Sequence, residues 1–240
     1  MPDVFLDDAD ISLLGTYTAV CQLIASLYRN KLDRDIASRI VDICTDAPDD
    51  DPVLGNADCL AGLETMQSYC IELDASRLLQ ASNDFHDLFI GPHNLLAPPW
   101  SSVYLDSGKL IFGPTALAVR ELFLTQGFVI PEGNAEPSDH ASYEWQFMAD
   151  MGKRVLIASQ AGNTGDADRS AKVRAYFFTC FLNPWMGSFC NKVNAGAKTD
   201  FYRGLSQFTR GFCNLEAMLL RRFGAVSCQG QDKEADYVAV

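Results

Sequence analysis

Along most of this chain apolar residues recur at three- and four-residue intervals, the period of a helix that buries one face. Leu13, Leu14, Tyr17, Val20, Cys21, Ile24, Leu27 and Tyr28 form one such stripe and predict a helix over about 12–30. Ile36, Ile40, Val41 and Ile43 predict a second over 33–44, followed by an acidic loop at 46–51. Helical spacing resumes over 57–73 and 75–90, and Gly91-Pro92 ends that run. Between Gly91 and Pro114 the period is lost, because Pro92, Pro98, Pro99 and Pro114 forbid a continuous helix. Val103-Tyr104-Leu105 and Leu110-Ile111-Phe112 flank Asp106-Ser107-Gly108-Lys109, which reads as a small hairpin or an extended loop. Helices are then predicted from Thr115 to about Gln126, over 166–181, over 183–194 and over 200–222. The reading is all-α: a helical bundle of about ten helices in two sets, 1–130 and 131–223. A hinge loop, Gly127 to Ala135, joins them, and a polar, disordered tail is expected over 224–240.

The longest clear helix opens directly after that loop, with Glu136-Pro137-Ser138-Asp139-His140. Pro137 fixes the first turn, and Ser138 or Asp139 is suited to cap the first backbone N–H groups. Ala141, Trp145, Met148, Gly152 and Val155 form one buried row, with Tyr143, Phe147 and Met151 as a second. A helix apolar on two sides packs between other helices. Two readings of Glu136, Asp139 and His140 stand side by side. One is a cap with a neutral histidine; the other is a polar cluster that meets a partner.

Charge narrows the choice. The chain of 240 residues has a net charge of −12 and a pI near 4.6. That argues against general nucleic-acid binding, which needs a basic surface, and suits a positively charged partner. No apolar run is expected to span a membrane, and residues 1–10 carry no signal-peptide pattern, so a cytoplasmic location is expected. The eight cysteines contain no C-x-x-C pair, and His86, His93 and His140 have no ligand spacing with them. Buried free thiols are expected, with no metal and no cofactor. No G-x-G-x-x-G, Walker A, G-x-S-x-G or H-E-x-x-H motif is present. Asp139 beside His140 leaves open a hydrolytic pair, although neighbours on one helical turn splay apart by about 100°.

Two stretches carry a resemblance. One is Phe85-His86-Asp87-Leu88-Phe89-Ile90-Gly91-Pro92, continuing through Pro98-Pro99-Trp100-Ser101-Ser102-Val103-Tyr104-Leu105-Asp106. The other is Glu136-Pro137-Ser138-Asp139-His140, leading to Glu144-Trp145-Gln146-Phe147-Met148, with Phe181-Leu182-Asn183-Pro184-Trp185 as a weaker third piece. Their order and spacing in an acidic helical chain resemble the TorD/DmsD family of redox enzyme maturation chaperones, DmsD-like members above all. His93 and Phe181 depart from the family pattern.

The resemblance implies a cytoplasmic chaperone rather than an enzyme. Its partners would be the twin-arginine leader and the apo catalytic subunit of a DMSO- or TMAO-type molybdenum reductase. It would be a monomer or a domain-swapped dimer. The implied leader-binding residues are Phe85, Leu88, Phe89, His93, Pro99, Trp100, Tyr104, Glu136, Pro137, Asp139 and His140. Phe85, Leu88 and Phe89 share a helix face, so with Trp100 and Tyr104 they could wall an apolar groove, or they could be plain core. Glu136 and Asp139 would accept hydrogen bonds from the leader's arginines. The other open readings are a scaffold for a different basic partner and a hydrolase using Asp139 and His140.

Overall fold

The computed structural model describes residues 7–46, 48, 50–91, 95–130 and 136–222. Among them are ten α-helices and no strand: α1 (Asp8–Arg29), α2 (Arg34–Asp46), α3 (Ala57–Ile71), α4 (Ala75–Phe85), α5 (Ser102–Leu105), α6 (Pro114–Thr125), α7 (Ala141–Gln160), α8 (Thr164–Phe177), α9 (Asn183–Gly196) and α10 (Asp200–Arg222). His86–Ile90 continues α4 as a π-helical turn, and Phe178–Leu182 does the same for α8. The first is closed by Gly91 N–H, which donates to His86 O at 2.8 Å. Such turns insert one residue into a helix and are common at functional positions. The first falls inside a stretch that carries the resemblance, and the second overlaps another at Phe181 and Leu182.

The helix starts are set by local chemistry. Asn56 Oδ1 takes the N–H groups of Asp58 and Cys59 at α3, and Asp74 takes that of Arg77 at α4. Gly162, at φ +70°, reverses the chain after α7, and Asn163 then caps α8 through Asp166 N–H.

The described chain packs as two compact units, each drawn from separated segments. The first takes residues up to Gln22, Trp100–Trp185 and the end of α10 from Ala217; the second takes Leu23–Pro99 and Met186–Glu216. This partition does not follow the expected division at 130/131. Residues on both sides of the 127–135 loop lie in the first unit, because α6 and α7 share a core: the Phe123 and Phe147 rings meet at a tilt with centroids 4.8 Å apart, and Phe177 of α8 meets both. Residues 131–135 of that loop, and the expected tail at 224–240, lie outside the described residues.

The second unit has an aromatic core of Tyr28, Phe85, Phe89, Phe189 and Tyr202. Its α3 and α10 touch backbone to backbone. A Cβ on Gly204 would lie 2.6 Å from Gly62 O, and one on Gly211 would lie 2.7 Å from Cys59 N. Asp84, buried, caps α10 by accepting from Lys198 N, Thr199 N and Thr199 Oγ1.

Three expectations are corrected. No hairpin forms over 103–112: Ser102–Leu105 is a helical turn, and left-handed backbone at Lys109 and Phe112 breaks any extended run. One helix, α1, is long and apolar enough to cross a membrane by length and composition; 44% of its most apolar window is buried within the fold. Cys21, Cys44, Cys59, Cys70, Cys190 and Cys213 are thiols as expected, but Cys180 is disulfide-bonded.

Candidate functional site

The predicted site residues divide between the two units. Phe85, Leu88, Phe89 and Pro99 belong to the second, and Trp100, Tyr104, Glu136, Pro137, Asp139 and His140 to the first. His93 lies outside the described residues.

The aromatic trio is core. Phe85, Leu88 and Phe89 are at most 3% exposed, and Phe89 packs against Tyr28, Phe85, Phe189 and Tyr202. Helical spacing put all three on one face, and that face points inward, so they wall no open groove. Pro99 is buried as well.

The first unit brings together the rest. Ser101 N–H donates to Asp139 O at 3.0 Å, and Trp100 and His140 form an isolated antiparallel bridge. The Trp100 indole N–H donates to Glu136 Oε2 at 3.0 Å, and its ring meets that of His140 edge-on at 6.2 Å. Glu136 is exposed, Tyr104 is half-buried, and Trp100 and His140 show only a rim. Pro137 is buried.

Asp139 and His140 do different work from that expected. The cap of α7 is His140, not Ser138 or Asp139: its Nδ1 accepts from Ser142 N–H at 3.1 Å and lies 2.8 Å from Ser142 Oγ. A ring nitrogen that accepts a backbone N–H carries no proton, so the imidazole is neutral. Asp139 is fully buried and does not cap α7. Its Oδ2 accepts from Ser102 N–H at 2.8 Å and from Ser101 Oγ at 3.4 Å, capping α5 across the chain. It therefore presents no carboxylate to an arginine from outside. Nor does it orient His140, whose Nδ1 is engaged by Ser142, so the hydrolytic pair is not assembled.

Beside this cluster lies Glu144, also fully buried, whose Oε2 accepts from Trp185 Nε1 at 2.9 Å. Burial pushes its carboxyl well above the ordinary carboxylate range; the Trp185 bond opposes this and the neighbouring Asp139 adds to it. The Trp185 ring in turn packs 5.3 Å from Tyr104. Sequence reading quoted Glu144, Trp185, Ser101 and Ser102 within its motifs without giving them a role. The available signal was a glutamate on the buried side of α7, between Ala141 and Met148.

Chemistry elsewhere is sparse. Burial raises the Cys44 thiol to about 11 and those of Cys59, Cys70 and Cys190 to about 12, which leaves them unreactive. Among the described residues no three His, Cys, Asp or Glu side chains gather as a metal site would require. A cleft of about 680 Å³ between the end of α6, α7 and the start of α8 contains none of the predicted residues. Its two arginines are neutralised, Arg154 by Asp150 at 2.8 Å and Arg169 by Asp166 at 2.9 Å.

Residues 56–191 match the sequence model of the nitrate reductase delta subunit family. The chain is 31% identical over 123 residues to the Tat proofreading chaperone DmsD of Salmonella paratyphi A, covering 51% of this chain and 53% of that one. It thus spans about half the length of that relative. It is 25% identical over 163 residues to the chaperone protein TorD of Vibrio atlanticus, covering 68% and 71%. A solved structure assigned as a redox enzyme maturation protein from Archaeoglobus fulgidus aligns over 89% of this chain and 97% of its own, with a TM-score of 0.47 and 17% identity.

Proposed function

Because this chain belongs to the nitrate reductase delta subunit family, we propose that it is a cytoplasmic chaperone for a DMSO- or TMAO-type molybdenum reductase. It binds the twin-arginine leader of the catalytic subunit and holds the apoenzyme until its cofactor is inserted and export can begin. It turns over no substrate. Relatives named as Tat proofreading chaperone and as chaperone support this reading, and so does an acidic molecule of net charge −12 for a cationic leader.

The observation that carries the site is Glu136. Its carboxylate is exposed at the approach to α7, and one oxygen is fixed by the Trp100 indole at 3.0 Å. A carboxylate held in this way has lost rotamer freedom before any arginine arrives, and its remaining lone pairs face solvent. The leader-reading surface is thus Glu136 with the rims of Trp100, Tyr104 and His140. Asp139 and Pro137 support it from beneath.

Calorimetry with a synthetic twin-arginine leader tests the reading. Glu136→Gln is expected to weaken binding several-fold with little change in melting temperature, since an exposed ion pair contributes modestly. Equal affinity for a leader whose two arginines are replaced by glutamine would overturn it.

A further inference from the structure

Glu144 is held in surroundings that do not suit a negative charge. An ionised carboxylate offers about four acceptor sites. Here Oε2 takes one donor, Trp185 Nε1, and the buried Oε1 takes none. The groups acting on it are Trp185, Asp139 and Ser101, with no lysine or arginine among them. Asp139 is itself buried, and its Oδ1 also lacks a donor. The Ser101 hydroxyl donates to Asp139 Oδ2 at 3.4 Å and is near enough to act on the Glu144 carboxyl.

A fully buried carboxyl with one indole donor, a second buried carboxyl beside it and no lysine or arginine acting on it favours its neutral form. The other ionisable side chains of these segments are placed elsewhere. Glu136 is at the surface on Trp100, His140 is engaged by Ser142, and Tyr104 lies against Trp185.

We propose that Glu144 is a neutral carboxylic acid in the folded protein, donating its proton to Ser101 Oγ, which donates onward to Asp139 Oδ2. It is then a positioning residue: the chain of hydrogen bonds Trp185–Glu144–Ser101–Asp139 fastens residues 100–105 to the start of α7. Its bearing on leader binding rests on the reading above; the protonation state does not.

The pH dependence follows in sign. An unfolded glutamate loses its proton near the ordinary carboxylate value, while the folded one keeps it. Stability from this group is therefore complete below the ordinary value and falls as pH rises towards the raised folded value. Each pH unit in that window shifts the folding constant by about tenfold.

Urea unfolding of the wild type and of Glu144→Gln, from pH 5 to 8, reads this directly. Glutamine is neutral, accepts from Trp185 and donates towards Ser101, so the variant should fold. The wild type should lose folding constant relative to it by up to about tenfold per pH unit, while Glu144→Ala loses stability at every pH. Parallel wild-type and Gln curves would sink the proposal. Should Glu144→Gln not fold, carboxyl-labelled glutamate in the wild type decides by NMR. One glutamate should keep its proton where the others have lost theirs; ordinary titration of all of them overturns the idea. Neither measurement depends on whether a leader binds.

Discussion

At the scale of single residues, the α7 entrance shows how one position of register changes a role. Asp139 and His140 are neighbours, yet one caps the short helix α5 and the other caps α7. Asp139→Ala should therefore lower stability by about 1–3 kcal/mol, the cost of leaving buried donors unsatisfied. His140→Ala should cost about 1 kcal/mol, the usual size of a lost cap. Chemical denaturation of both variants checks this. An Asp139→Ala protein as stable as the wild type, but weak in leader binding, would return Asp139 to the direct role expected from sequence. The α7 cap was expected at Ser138 or Asp139 because serine and aspartate are far commoner caps than histidine. What the sequence could not carry was the partner: Ser102 N–H lies 37 positions away, and nothing local announces it.

Among the elements, helices were legible and their exceptions were not. The predicted runs at 57–73, 183–194 and 200–222 appear as α3, α9 and α10 within a few residues. The π-helical turns at His86–Ile90 and Phe178–Leu182 were invisible, since one inserted residue leaves the apolar spacing nearly unchanged. Val103-Tyr104-Leu105 has strand composition and yet forms a helical turn, because Asp139 caps its first N–H. The contact of α3 with α10 was equally silent: Gly62, Gly204 and Gly211 lie where the two backbones meet. Gly204→Ala should destabilise the protein by about 1–3 kcal/mol through overpacking. Gly15→Ala, at a helical glycine with nothing within 4 Å, should be neutral or stabilising. A thermal melt of the pair measures the difference, and similar melting points would mean that the two helices separate easily.

For the whole molecule, composition pointed to an acidic helical protein and to a cationic partner, and the family follows from residues 56–191. The division into halves at residue 130 was not legible as drawn, because segment order along a chain says nothing about which segments return to pack together. Leader binding by so acidic a chain should weaken with added salt, steeply at first and then level off as apolar contacts remain. Calorimetry across a salt series reads this, and an affinity indifferent to salt would remove the long-range charge from the account.

The backbone contact of α3 with α10 has a consequence for how the chain is made. Cys59 Sγ reaches Phe208 O across 149 positions, so the partner of α3 leaves the ribosome long after α3 itself. Until then the α3 backbone at Gly62 lacks the helix that covers it. Late, distant closures of this kind are slow, because chain entropy is lost before the contact is gained. The chain thus spends the later part of its own synthesis unfinished, with its second unit open until α10 arrives.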